Sequence, residues 1–328
     1  MPRLSIAPMI DWSYTHFRVL MKMLAPNALC YTEMQTVQAI QHQPKRSLDF
    51  HASELPHLAL QLGGSDPKSL AESAKIAEQL GFSEINLNLG CPSDRVQQGK
   101  FGACLMYEPL KVASCIEAMK KAVKIPITAK TRIGVDENEG YDFLYRFVAP
   151  LIDQGCDKLV IHARKAWLKG LSPKQNRTIP PLHYDVAYQI KSAFPNIPVI
   201  INGNVHRKDI EEHLRHVDGV MLGRMACDDP YQIACIHHDL YPETIKPTRV
   251  AVLALYLSYL QQLSSASSYH TSLIIKPLLN LAHGLPQNKT WKKQLLMLES
   301  WDDWKNWDTI LYSLEQLEDG EGFTQRAV

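Results

Sequence analysis

Residues 57–90 read HLALQLGGSDPKSLAESAKIAEQLGFSEINLNLG, and the fold is decided by this stretch. Two short apolar runs, HLALQLGG (57–64) and EINLNLG (84–90), flank DPKSLAESAKIAEQLG (66–81), whose apolar residues recur at helical spacing. Asp66 before Pro67 predicts an N-cap followed by proline at the first helical position, and Gly81 supplies the stop. Similar strand candidates occur at LSIAPM (4–9), ALCYTE (28–33), IPITAKTR (125–132), KLVIHAR (158–164), PVIINGN (198–204) and GVMLGR (219–224). With the first two they make eight, most of them separated by helical patterns such as EPLKVASCIEAMKKAV (108–123). Eight alternations predict a (β/α)8 TIM barrel, a fold that typically takes ~250 residues. A doubly wound open sheet is the structural alternative, but no GxGxxG follows the first strand candidate.

Beyond residue 235 strand signals vanish. Helical periodicity runs through 247–263, 271–285, 290–300 and 302–319, with Pro277 expected to kink the second segment or mark a new start. The polar, proline-bounded YPETIKP (241–247) marks a boundary. Two domains are expected: a catalytic TIM barrel over 1–240 and a small helical bundle over 241–328.

The chain of 328 residues is 45% hydrophobic and 21% charged, the balance of an ordinary globular protein. No apolar run approaches the ~20 residues of a membrane helix, and MPRLSIAPMIDW has neither a long apolar core nor a small-residue cleavage site. A cytoplasmic protein is expected. The seven cysteines stand singly, with no CxxC, which argues against a disulfide framework or a zinc site. A net charge of +1 carries no global signal for nucleic acid, so any such reading rests on local patches.

The strand candidates end in residues that a buried core would not choose: Gln61, Asn86 and Asn88, Lys130 and Arg132, His162, Asn202, Gly223 with Arg224. In a TIM barrel the carboxyl ends of all strands converge on one face, which carries the active site. The turns after the last two strands, NGN (202–204) and GR (223–224), suit a phosphate. Glycine lets backbone approach closely, and Arg224 offers a forked, charged contact. Lys130 and His162 at the same mouth suit a large anionic cofactor, and a lysine near the pyrimidine end of a flavin stabilises the negative charge of its reduced form.

APMIDW (7–12), LQLGGSDP (60–67), EINLNLGCPSDRV (84–96), GKFGACLM (99–106), KTRIG (130–134), IHARKAWLKGLSPKQNRTIPPL (161–182), INGN (201–204) and DGVMLGR (218–224) together resemble the tRNA-dihydrouridine synthases, the 162–182 run the A-type subfamily of bacteria. The resemblance continues into GLPQNKTWKK (284–293). It implies an FMN enzyme that reduces the C5=C6 bond of D-loop uridines at tRNA positions 20 and 20a, with NADPH as electron donor. It also implies that Pro8, Met9 and Ile10 line the flavin with backbone groups. Gln61, Lys130 and His162 would bind its ring and ribityl chain, and Asn202, Gly203, Asn204, Gly223 and Arg224 its phosphate. Asn88, Lys174, Arg177, Lys289 and Lys292 are the implied tRNA contacts. No metal, protein partner or membrane is implied, and a monomer is expected.

The resemblance gives Cys91 a task. Reduction needs a hydride at C6 and a proton at C5. An ordinary thiol, with a pKa of about 8.5, is mostly protonated at neutral pH and can donate that proton. Cys91 follows a strand end, and Pro92 with Gly90, Gly99 and Gly102 suggests a shaped loop able to move; Cys104 reads as structural. Extraction of a stacked uridine calls for base flipping, with affinity from phosphate contacts through Arg164, Lys165, Lys169, Lys174 and Arg177. Two departures stand out. Relatives usually carry arginine where this chain has Lys289, Lys292 and Lys293, and lysine loses the forked phosphate grip. INGN replaces the INGG of close A-type relatives. A dihydroorotate-dehydrogenase-like flavoenzyme and a non-catalytic tRNA-folding protein are the alternatives. The first has no need of the basic 164–177 loop, and the second no need of Cys91 beside a flavin site.

Overall fold

The computed structural model describes residues 1–48, 50, 52–263 and 269–325. The chain divides into two compact units, Met1–Ser13 with Leu29–Gly223, and Tyr14–Ala28 with Arg224–Val328.

The first unit is the barrel. Its strands are β1 (Leu4–Ile6), β2 (Leu29–Tyr31), β3 (Leu58–Gly63), β4 (Glu84–Leu89), β5 (Ile127–Arg132), β6 (Lys158–His162), β7 (Val199–Asn202) and β8 (Gly219–Leu222). Each pairs in parallel with the next, and β8 pairs back onto β1, which closes the ring. All eight lie inside the expected runs, each trimmed by one to three residues at its ends. The helix after β3 runs Pro67–Gln79, with the Asp66 side chain accepting from the Ser69 amide at 2.9 Å, as the N-cap reading requires. Gly81 takes the left-handed conformation (φ 91°) just beyond it.

The barrel interior has two sides. Ala7, Leu29, Tyr31, Ala59, Val160, Ile200 and Met221 form one buried apolar cluster, against which Met9 packs. Alternate residues of β4, together with β5 and β6, supply polar groups instead. Glu84 pairs with Lys158 at 2.5 Å, each side chain 7% exposed. The Glu84 carboxylate also accepts from Tyr31 Oη (2.8 Å) and Thr128 Oγ1 (2.6 Å). A buried ion pair is tolerable only when its remaining hydrogen-bonding capacity is met in this way.

The second unit is helical. Helix Arg249–Gln262 is capped by Thr248 Oγ1, and the Glu318 carboxylate accepts from the amides of Arg249 (2.8 Å) and Val250 (3.1 Å), placing negative charge at the positive helix end. The segment 271–285, with its expected break at Pro277, is α-helical over Thr271–Ile275. Pro277 then falls in a 3-10 turn, Lys276–Leu278. Helices Asn288–Leu296 and Trp304–Gln325 follow. Among the described residues no helix is long and apolar enough to cross a membrane.

Candidate active site

The polar column of the interior leads from the ion pair to the thiol. Thr128 donates to Glu84, so its oxygen is left to accept from Asn86 Nδ2 (2.9 Å). Asn86 thereby presents Oδ1 to Gln61 Nε2 (2.9 Å), and Gln61 presents Oε1 to Asn88 Nδ2 (2.9 Å). Asn88 then turns Oδ1 to the amides of Gly90 (3.2 Å) and Cys91 (3.0 Å). Each side-chain amide has its orientation dictated by the one beneath it. Gln61 is thus buried and committed at both ends, and Asn88 spends its oxygen on the Cys91 turn.

Cys91 is partly exposed, with Sγ 3.5 Å from Ser93 Oγ. Its carbonyl accepts from Ala103 N at 2.9 Å, and at Gly102 (φ 79°) a Cβ would come within 2.5 Å of that oxygen. The turn is therefore fastened on both sides. Gln97 Nε2 adds bonds to the carbonyls of Pro92 and Leu168, 2.8 Å each. Arg132, almost wholly buried, donates to the carbonyls of Gly90, Lys165 and Asn176, 2.9 Å each. These two side chains bind the thiol turn to the basic loop that follows β6. Burial first, then the cations Arg177 and Arg164, push the Arg132 guanidinium down to about 10, while Cys91 opposes the shift.

Lys130 Nζ reaches Asn202 Oδ1 at 3.1 Å, and Asn202 Nδ2 donates to the Met221 carbonyl at 2.8 Å. Burial and the neighbouring Arg132 push the Lys130 amine down to about 7, with Cys91 near enough to act the other way. Gly203 (φ 120°) lies against His162: a Cβ there would sit 2.7 Å from the imidazole Cδ2. Asn204 is also left-handed (φ 50°), and its amide meets His206 Nε2 at 2.9 Å. Gly223 approaches Ala7 and Met9, 3.6 Å from a would-be Cβ. The structure therefore gathers Gln61, Asn88, Cys91, Lys130, His162, Asn202 and Gly203 at the carboxyl ends of β3 to β7.

Other expected residues stand differently. The Met9 amide donates to Ser13 Oγ (2.9 Å), and its carbonyl accepts from Trp12 and Ser13, so its backbone is used within the turn. Pro8 is half-buried and Ile10 exposed. Arg224 opens helix Arg224–Asp228 of the second unit. In the basic loop, buried Asn176 binds Trp167 N (2.8 Å) and the carbonyls of Trp167 and Leu171 (2.9 and 3.2 Å), leaving Lys174 and Arg177 exposed on either side of it. In the second unit Lys289 is exposed, whereas Lys292 Nζ donates to Asn280 Oδ1 at 2.9 Å. Cys104 binds the Phe101 carbonyl at 3.1 Å, with its thiol pushed up by burial, as a packing residue should be. No cluster of metal-ligating side chains occurs among the described residues.

The functional residues absent from the sequence reading are Gln97, Asn176, Glu84, Thr128 and Lys158. Glu84 carried a signal, since it stands two residues before Asn86 and four before Asn88 and so shares their inward face. Gln97 carried none.

The structure is similar to morphinone reductase, solved in complex with tetrahydroNAD, with a TM-score of 0.50 over 76% of this chain and 90% of that one; at 12% identity this likeness concerns the fold. In sequence, the chain is 48% identical over 295 residues to the tRNA-dihydrouridine(20/20a) synthase of Synechocystis sp., covering 89% of this chain and 88% of that protein. It is 47% identical to the Shewanella oneidensis protein of the same name (89% and 87%) and 45% identical over 316 residues to that of Xanthomonas axonopodis (96% and 93%). The family model for dihydrouridine synthase (Dus) matches residues 5–309. With relatives this similar over nearly their whole length, the chain belongs to the dihydrouridine synthase family.

Proposed function

We propose that this protein reduces uridines 20 and 20a of tRNA to 5,6-dihydrouridine, using FMN re-reduced by NADPH, as a cytoplasmic monomer. The relatives' shared name motivates the substrate. The observation that carries the chemistry is the Lys130 amine, 3.1 Å from Asn202 Oδ1 and within electrostatic reach of Cys91. Among the described residues no carboxylate pairs with this amine, which burial holds down to about 7, and an electron-rich flavin ring would supply a partner. Gly203, whose Cβ would fill the space against His162, and Asn204 fit a phosphate that needs close backbone approach.

When bound, a reduced flavin supplies a hydride to uracil C6, and NADPH restores the electrons. Cys91 Sγ–H gives its proton to C5, and the thiolate recovers one from solvent. Asn88 fixes the turn that aims the thiol. Lys130, with His162, would hold the ring end of the cofactor, with Gln61 and Asn202 fixing their neighbours from behind, and Gly203, Asn204 and Gly223 would hold the phosphate end. The exposed Lys174 and Arg177 grip tRNA phosphates, and Lys289 supplies a separate contact from the second unit. Incubating the purified protein with FMN, NADPH and unmodified tRNA transcript should produce dihydrouridine at positions 20 and 20a. Cofactor oxidation without any dihydrouridine would overturn the assignment.

A further inference from the structure

Tyr184 is the first residue of helix Tyr184–Ala193 and has no place in the roles above. Its hydroxyl donates to the Gly203 carbonyl at 2.6 Å. Burial pushes the phenol up, so it stays protonated and remains a donor across the neutral range. The ring stands edge-on to the His213 imidazole, with centroids 4.6 Å apart at 69°. His213 is buried, held by Tyr188 Oη at 2.7 Å, and lowered by burial, so it is neutral at pH 7 and seats Tyr184 without adding charge.

The bond has a geometric consequence. A peptide unit is planar and trans, so its C=O and N–H point in opposite directions. The Gly203 carbonyl is drawn to Tyr184, so the Asn204 N–H faces away from it. The preceding carbonyl, of Asn202, is drawn in turn to the Ala163 amide at 2.9 Å, so the Gly203 N–H is also turned away from its carbonyl's partner. Two successive carbonyls are engaged by protein donors, and two successive amides are presented on the opposite sides of their peptides. Both residues are left-handed, at φ 120° and 50°. Only glycine fits the first position, because a Cβ would meet His162 and Leu182 at 2.7 and 3.1 Å, and asparagine tolerates the second. Successive amides of this kind can take an anion where they face one space.

We propose that Tyr184 is a positioning residue for the phosphate loop, holding the Gly203 carbonyl aside so that the Asn204 amide meets the phosphate of FMN. This rests on the FMN reading above and extends it to a residue that touches neither flavin nor tRNA. It follows that Tyr184 matters for FMN and not for riboflavin, which lacks the phosphate.

The test titrates flavin-free protein with FMN and with riboflavin, following the quenching of flavin fluorescence. Wild type should prefer FMN. Tyr184→Phe keeps the ring on His213 and loses only the donor. Its FMN affinity should fall about 3- to 10-fold, the range for one neutral hydrogen bond, with riboflavin affinity unchanged. A second variant carries 3-fluorotyrosine at 184, which preserves size and fold with a stronger donor, and its FMN preference should equal or exceed wild type. An unchanged preference in Tyr184→Phe, an equal loss for both ligands, or a fluorotyrosine protein that behaves like Tyr184→Phe would each overturn the positioning role. A wild type that binds riboflavin as tightly as FMN would instead overturn the phosphate-loop reading itself.

Discussion

Replacing Lys130 by methionine should stabilise the flavin-free protein while weakening its hold on flavin. The amine falls from an ordinary 10.5 to about 7, chiefly through burial. Between those values the unfolded chain carries a proton that the folded chain lacks, so stability rises with pH across this window. Below about 7 both states are protonated and the full cost of burying the charge is present. A tenfold change in proton affinity is worth about 1.4 kcal/mol, so the cost approaches roughly 4 to 5 kcal/mol at low pH. Lys130 keeps some exposure at the barrel mouth, so water will soften this, and about half is the working expectation. Methionine matches the length of the stem without the charge. Thermal melts of flavin-free wild type and Lys130→Met at pH 6, 7, 8 and 9 should show the variant melting several degrees higher at pH 6, with the gap closing as pH rises. In the presence of saturating FMN the order should reverse. A wild type that is the more stable at pH 6, or a gap that does not change with pH, would refute the buried-amine argument.

Cys91→Ala should retain flavin and NADPH oxidation, while tRNA reduction falls about 10²- to 10⁴-fold, the usual loss for a positioned general acid; wild-type turnover would send the search to another donor. Lys174→Ala and Arg177→Ala should weaken tRNA binding with flavin spectra intact, and each should flatten the log–log salt dependence by about one unit or somewhat less; an unaltered slope would remove that residue from the interface. Lys289→Ala should act the same way, and Lys292→Ala less, because its ammonium is already engaged by Asn280. Equal effects in a filter-binding titration would contradict that ordering.

Strand positions were legible because the signals are local. Alternating residues such as Glu84, Asn86 and Asn88 carry their inward face in the spacing, and Asp66 with Pro67 marks a helix start by its own chemistry. The residues that fasten the site were not legible, because their partners depend on register and on loop closure. Gln97 binds a carbonyl 71 residues away, and Tyr184 one that is 19 residues away. The Gln61–Asn86–Asn88 relay exists only because β3 and β4 pair with Gln61 opposite Asn86. Helix Thr15–Leu24 groups with the tail helices through contacts that no local pattern announces. The break expected at Pro277 within 271–285 was legible, because a missing amide donor is a local signal that overrides the periodicity around it.

The central claim is that this chain makes dihydrouridine in tRNA with Cys91 as the proton donor. The most direct measurement maps dihydrouridine in total tRNA from a strain lacking the gene, complemented with wild type or with Cys91→Ala. Loss at positions 20 and 20a, restored by wild type and not by the variant, is the predicted result. Dihydrouridine that persists at both positions in the deletion strain, or that returns fully with Cys91→Ala, would contradict the account.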